Sequence, residues 1–138
     1  MQNLQQILPT PSLSGFPTFF EKYTKNHLTG LYVITYTITV KEIIRSDVFD
    51  SWLHKLRDRR ARFRIYKRIE RLAEGNSGDV KPAGEGISEM RIDYGPGYRV
   101  YFKDTGKEII ILLCGGDKTT QQTDIKQAKI IAKLYEEE

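Results

Sequence analysis

Between Ser46 and Glu74 the apolar residues fall at helical spacing, and this pair of stripes limits the folds open to the chain more than any other feature. Phe49, Trp52, Leu53 and Leu56 stand at i, i+3, i+4 and i+7, one face of an amphipathic helix. Ser46 is placed to cap it, and Asp47 and Asp50 suit the positive end of the helix dipole. A second stripe, Ala61, Ile65, Ile69 and Leu72, predicts a helix from about Arg60 to Glu74, stopped by Gly75-Asn76. Two such helices joined by a short charged turn read as a helical hairpin. Its joint apolar face needs a partner layer.

Strands supply that layer. Tyr32, Ile34, Tyr36, Ile38 and Val40 alternate with threonines, a period-two pattern that predicts a strand running on through Ile43 and Ile44. After a glycine-rich loop over residues 76–86, three more strands are expected. They are Ile87–Asp93, Tyr98–Lys103 and Glu108–Cys114, separated by Gly95-Pro96-Gly97 and Asp104-Thr105-Gly106. The last is apolar on both parities, so it should be central and covered on both faces or nearly so. Residues 122–138 read as a closing helix with Ile125, Ala128, Ile131 and Ala132 on its apolar side. The predicted class is α+β, in the order β-α-α-β-β-β-α, with a mostly antiparallel sheet and helices packed on one face.

Residues 1–30 differ from the rest. They hold three of the five prolines and no clear periodicity, and are expected to be a loosely ordered extension. The domain proper is expected over residues 31–138. At 138 residues no metal or disulfide is needed to fold. The single cysteine, Cys114, permits no internal disulfide and is read as core packing. No signal peptide and no apolar run of membrane-spanning length is visible, so a cytoplasmic protein without membrane association is expected.

The net charge of +4 says less than its distribution. From Arg45 to Arg71 there are ten Lys or Arg against four Asp or Glu, a local +6. That density suits a polyanionic partner, nucleic acid or an acidic protein surface, although a solvated helix face looks the same. Alternation sorts the hairpin strands. Met90, Ile92, Tyr98, Val100 and Phe102 should face the helices, leaving Glu89, Arg91, Arg99, Tyr101 and Lys103 on an open surface. Arginine for phosphate and tyrosine for stacking make a reasonable RNA platform, with Tyr101 and Lys103 as binding residues. Ordinary polar-out alternation gives the same pattern.

Four segments then carry a resemblance: Trp52-Leu53 with Leu56-Arg57-Asp58; Ile69-Glu70-Arg71-Leu72 with Gly75-Asn76-Ser77-Gly78-Asp79; the run from Arg91 to Phe102 through Gly95-Pro96-Gly97-Tyr98-Arg99; and Leu112 to Lys118 through Gly115-Gly116-Asp117. In this order they resemble the RelE/ParE toxin superfamily, in its HigB-like addiction module killer branch of phage-derived proteins, over about residues 38–135. The resemblance implies the toxin half of a type II toxin–antitoxin pair. It also implies a helix-turn-helix, HigA-like antitoxin that represses the operon, with operator DNA met only through that complex. For RelE-like members it implies mRNA cleavage on the ribosome, in which a ribose 2′-OH attacks the adjacent phosphate without a cofactor or metal. On that resemblance Arg91, Arg99 and Lys118 match basic positions assigned to phosphate binding and transition-state charge.

The departures are specific. A lysine often found two residues before Arg91 is Glu89 here, and a C-terminal-helix tyrosine has Asp124-Ile125 near its place. The general base is unassigned, with Glu89 and Asp117 as candidates; the alternative for Asp117 is a structural pair with Lys118 or a cap on the following segment. Neither His27 nor His54 is expected in the site. The family usually starts near the first strand, so residues 1–30 are alternatively a gene-model artefact. Two other functions fit: a ParE-like inhibitor that binds DNA gyrase without catalysis, and an inactive member kept as a co-repressor.

Overall fold

A computed structural model describes residues 19–25 and 27–136 of the chain. Its centre is a five-stranded sheet. The strands are β3 (Glu42–Arg45), β4 (Val80–Gly84), β5 (Ile87–Ile92), β6 (Tyr98–Asp104) and β7 (Ile109–Gly116), in the spatial order β3-β7-β6-β5-β4. β3 pairs parallel with β7, and every other pair is antiparallel. Two helices, α1 (Asp47–Lys55) and α2 (Arg59–Ala73), cross from β3 to β4. A short 3-10 turn (Lys118–Thr120) leads into α3 (Gln121–Glu136). The α+β class and mostly antiparallel sheet are those the periodicities predict.

Both helices of the hairpin start where their caps dictate. The Ser46 hydroxyl accepts from Phe49 N–H at 3.0 Å and donates to the Leu113 carbonyl, so one side chain caps α1 and ties it to the sheet. Asp58 caps α2 by accepting from the N–H groups of Arg60 and Ala61 at 2.9 and 3.2 Å. Gly75, at φ 92°, ends α2 in the left-handed conformation that glycine favours. The predicted stripe residues Phe49, Leu53, Ala61, Ile65, Ile69 and Leu72 are all buried.

The helices do not share one face. Phe49, Leu53, Ile65 and Ile69 pack with Met90, Ile92, Val100, Phe102, Ile110 and Leu112. On the opposite side Ala128, Ile131 and Ala132 of α3 pack with Ile87, Tyr101, Ile111, Leu113 and Cys114. The surface expected to be open therefore lies under α3. Small alanines let that helix approach a strand that is apolar on both parities and needs two covers. A bulge helps. Tyr101 pairs with Cys114 and Phe102 with Leu112, so Leu113 has no partner and packs on the same side as Cys114.

Two differences lie upstream of the helices. The single strand expected from Tyr32 through Ile44 is two strands in different sheets. β2 (Tyr32–Ile38) pairs antiparallel with β1 (Phe19–Lys25), while β3 belongs to the central sheet. The boundary expected at residue 30 falls inside this hairpin; the remaining expectations for residues 1–18 lie outside the described residues. The loop over 76–86 also contains β4, an edge strand that tolerates Pro82 because its outer side has no ladder to complete. Among the described residues no helix is long and apolar enough to cross a membrane.

Candidate anion-binding site

β5 and β6 bring two arginines together. Arg91 and Arg99 are direct partners across the hairpin, and Arg99 is in turn opposite Gly116 at the end of β7. The Gly95-Pro96-Gly97 turn that joins the strands has positive φ at both glycines, 57° and 79°. A Cβ at Gly97 would lie 3.6 Å from Cβ of Lys118, so Lys118 rests against the same turn. Three cations from three neighbouring segments thus border one end of the sheet. A cavity of about 230 Å³ lies there, lined by Asp79, Arg91, Asp93, Gly97, Tyr98 and Arg99 among others. Lys118 is exposed and makes no ion pair among the described residues.

The two arginines are held differently. Arg91 donates from Nη2 to Asp79 at 2.7 Å and from Nε to the same oxygen at 3.2 Å. This hydrogen bond holds the Asp79 carboxyl below its ordinary range and raises Arg91. Both partners are exposed enough that the pair contributes little stability and a stronger anion can displace it. Arg99 is nearly enclosed. Its Nε donates to Oε1 of buried Glu89 at 3.1 Å, and Oε2 of Glu89 accepts from Gln121 at 2.8 Å. Glu89 thereby turns Arg99 about its Nε edge. Among the described residues Nη1 of Arg99, which is buried, finds no acceptor; a buried guanidinium nitrogen left unpaired is unfavourable.

Behind this pair lies a second polar layer. Asp124, on the first turn of α3, is buried and accepts a short hydrogen bond from Thr120. Burial raises its carboxyl above the ordinary aspartate range. A Cβ at Gly116 would stand 1.8 Å from the Asp124 carboxylate, and one at Gly115 would stand 2.3 Å from the Trp52 ring. The paired glycines are therefore needed for space. Gly115 admits the indole on one face, and Gly116 admits the carboxylate on the other. Burial also pushes the Cys114 thiol up to about 12, so it stays a thiol, packed in the core as expected.

Of the residues singled out from the sequence, Arg91, Arg99 and Lys118 come together, with Glu89 directly behind Arg99. Asp117 accepts from Thr119 N–H at 2.8 Å and caps the 3-10 turn, the alternative role its position allowed. Those hydrogen bonds keep its carboxyl below the ordinary range. Tyr101 does not stand on an open platform: it is 0% exposed beneath α3. Its hydroxyl lies beside Glu89 without a well-formed hydrogen bond, and burial raises it far above an ordinary phenol. It cannot stack on a base, because polar-out alternation looks the same when the outward groups are covered by a helix and pair with one another. Lys103, on the same strand, forms an ion pair with Glu136 of α3. His54 bonds the Asp50 carbonyl within α1.

The sequence reading missed Asp79, Gln121 and the role of Asp124. Only the adjacent Gly115-Gly116 signalled that something packs closely there. Among the described residues no three His, Cys, Asp or Glu side chains gather as a metal site.

This α+β architecture, with cations clustered at one end of the hairpin, is consistent with a RelE-like fold. The chain belongs to the family described as "Phage derived protein Gp49-like (DUF891)", which matches residues 51–136, from α1 to the end of α3. That family is associated with RelE- and HigB-like toxins. A Haemophilus influenzae (strain Rd) protein, described as "Uncharacterized protein", is 54% identical over 97 residues, 70% of this chain and 95% of that protein.

Proposed function

We propose that this chain is the toxin of a type II toxin–antitoxin pair of the HigB kind, acting in the cytoplasm as a ribosome-dependent mRNA endoribonuclease. The observation that carries this reading is the pairing of Arg91 with Arg99 at one small cavity, with Lys118 against the turn beside it. A phosphodiester bound there meets paired guanidinium groups, the usual partners of phosphate oxygens. As the 2′-oxygen bonds to phosphorus, charge grows on the non-bridging oxygens, and cations already oriented there favour the phosphorane over the ground state. The 2′-hydroxyl proton passes to water, the P–O5′ bond breaks to leave a 2′,3′-cyclic phosphate, and the 5′-oxygen takes a proton from water. Glu89 acts as a positioning residue for Arg99, and Asp117 fixes the turn that carries Lys118. The toxin domain runs over residues 31–138, and its antitoxin is a helix-turn-helix protein through which operator DNA is reached.

The test is a short pulse of expression followed by mapping of new RNA 5′ ends across the transcriptome. Codon-phased cuts within translated regions are expected, and Arg91→Ala should lower them about a hundredfold, the usual loss when a transition-state donor is removed. Growth arrest with no new 5′ ends would overturn this reading in favour of a gyrase-binding inhibitor. The engagement of both candidate bases, Glu89 and Asp117, favours that second reading, because an inhibitor needs neither.

A further inference from the structure

A larger cavity, about 750 Å³, runs along α2 and shares Ile92 and Asp93 with the arginine pocket. Arg60, Arg64, Lys67 and Arg71 line it. They stand at i, i+4, i+7 and i+11, so they form one stripe along the helix, about 16 Å long at the usual rise per residue. The buried stripe Ala61, Ile65, Ile69 and Leu72 fixes the rotation of α2, so these cations cannot turn away from solvent. All four are exposed. Arg68, between them, is different: it donates to the carbonyls of Arg91 and Ser77 at 2.6 and 3.1 Å and braces the loop before β4.

The groove is partly ordered in advance. The Arg64 guanidinium lies 4.7 Å from the centre of the Tyr94 ring, and the Tyr94 hydroxyl donates to Asp58 at 3.0 Å. Phe63 lines the same groove and is 62% exposed. The Lys67 ammonium lies 5.8 Å from the centre of its ring, so the aromatic and the cations share one surface. Ile92 and Asp93 wall both this groove and the arginine pocket, so the two cavities adjoin.

We propose that the α2 groove is a track for the sugar–phosphate backbone of a single-stranded nucleic acid, with Phe63 offering its ring to a base. A stacked strand carries a charge about every 3.4 Å, so a stripe of this length follows a strand rather than clamping one phosphate. An acidic helix fits less well, because helix-in-groove docking uses several apolar anchors and the exposed lining here offers one aromatic. That the strand is RNA rests on the function proposed above; the track itself does not.

The experiment is anisotropy of a fluorescein-labelled oligothymidylate, which lacks the 2′-OH and so cannot be cut by 2′-OH attack, titrated with the full chain at several salt concentrations. Four phosphate contacts predict a log–log salt slope of about −3, and Arg60→Gln/Lys67→Gln/Arg71→Gln should bring it to about −1. Phe63→Ala should weaken binding about tenfold with the slope unchanged. Arg91→Gln should leave most of the slope in place. Circular dichroism checks folding; Phe63→Ala and Lys67→Gln alone, each exposed, serve if the triple variant fails to fold. Unchanged affinity and slope in the α2 variants would overturn the track. So would loss of poly-L-glutamate binding with oligothymidylate binding intact, which would make the groove a surface for acidic protein. Binding that follows α2 in a protein that cuts no RNA would keep the track and reject the nuclease.

Discussion

The two faces of the central sheet are built from the same alternating strands and hold together differently. Beneath α1 and α2 the contacts are mainly apolar, from Phe49 and Leu53 to Val100 and Leu112. Beneath α3 the apolar patch of Ala128, Ile131 and Leu113 adjoins a polar layer in which Glu89, Arg99, Gln121, Thr120 and Asp124 depend on one another. The first face gains free energy from every side chain it covers. The second carries groups whose burial is unfavourable unless each finds a partner. Apolar burial is concentrated on one side, and buried, mutually dependent charge is concentrated on the other.

Three substitutions probe that contrast. Phe49→Ala removes a fully buried ring from the apolar face and should cost about 4 kcal/mol, a large part of the roughly 5–15 kcal/mol typical of a domain. Urea unfolding should show the loss as a lower midpoint at unchanged slope. Glu89→Ala strands the Arg99 guanidinium, whose side chain is 11% exposed, and should cost about 3 kcal/mol. Glu89→Gln keeps an acceptor for Nε and should recover much of it. If Glu89→Ala unfolds no more easily than a surface ion-pair variant, the polar face is not the interdependent layer described.

The smallest effect is expected at Asp124. Its carboxyl is raised in the folded state, so the stability it contributes is present below the ordinary aspartate value and is lost as pH rises through the folded value. The stability of Asp124→Asn relative to the parent should therefore climb with pH across the acid range and then level off. A constant difference from pH 3 to pH 7 would show that the buried carboxyl does not titrate as its burial requires.

Much of the apolar face was legible in the sequence, because a helical stripe repeats often enough to stand out. Phe49, Leu53, Ile65 and Ile69 are all where their spacing puts them. The other face was not, because Ala128 and Ala132 mark a helix that approaches closely but give only a weak stripe. Glu89 and Tyr101 read as outward-facing whether or not something covers them. β4 is hidden in the sequence because Pro82 and Gly84 mask a five-residue edge strand. The break after Ile38 was hidden because the alternation of residues 32–40 continues across it. In the candidate site the Arg91–Arg99 pairing was readable from strand parity, since it follows from a tight turn. Asp79 and Asp124 were not, since each reaches the site through tertiary packing.

The bond from Ser46 to the Leu113 carbonyl spans 67 positions of chain, and so does the parallel pairing of Glu42 with Ile109. At translation rates of roughly 5–20 residues per second, α1 waits about 3–14 s on the ribosome before the strand it caps against has been made. Local hairpins form far faster than such long closures. The β3 and α1 junction is thus among the last parts of the molecule to assemble. Arg99 is made earlier than Gln121, which completes the clamp on Glu89. A nascent chain therefore lacks the complete clamp on Arg99 until Gln121 has been made, and timing alone delays any activity of that site until then.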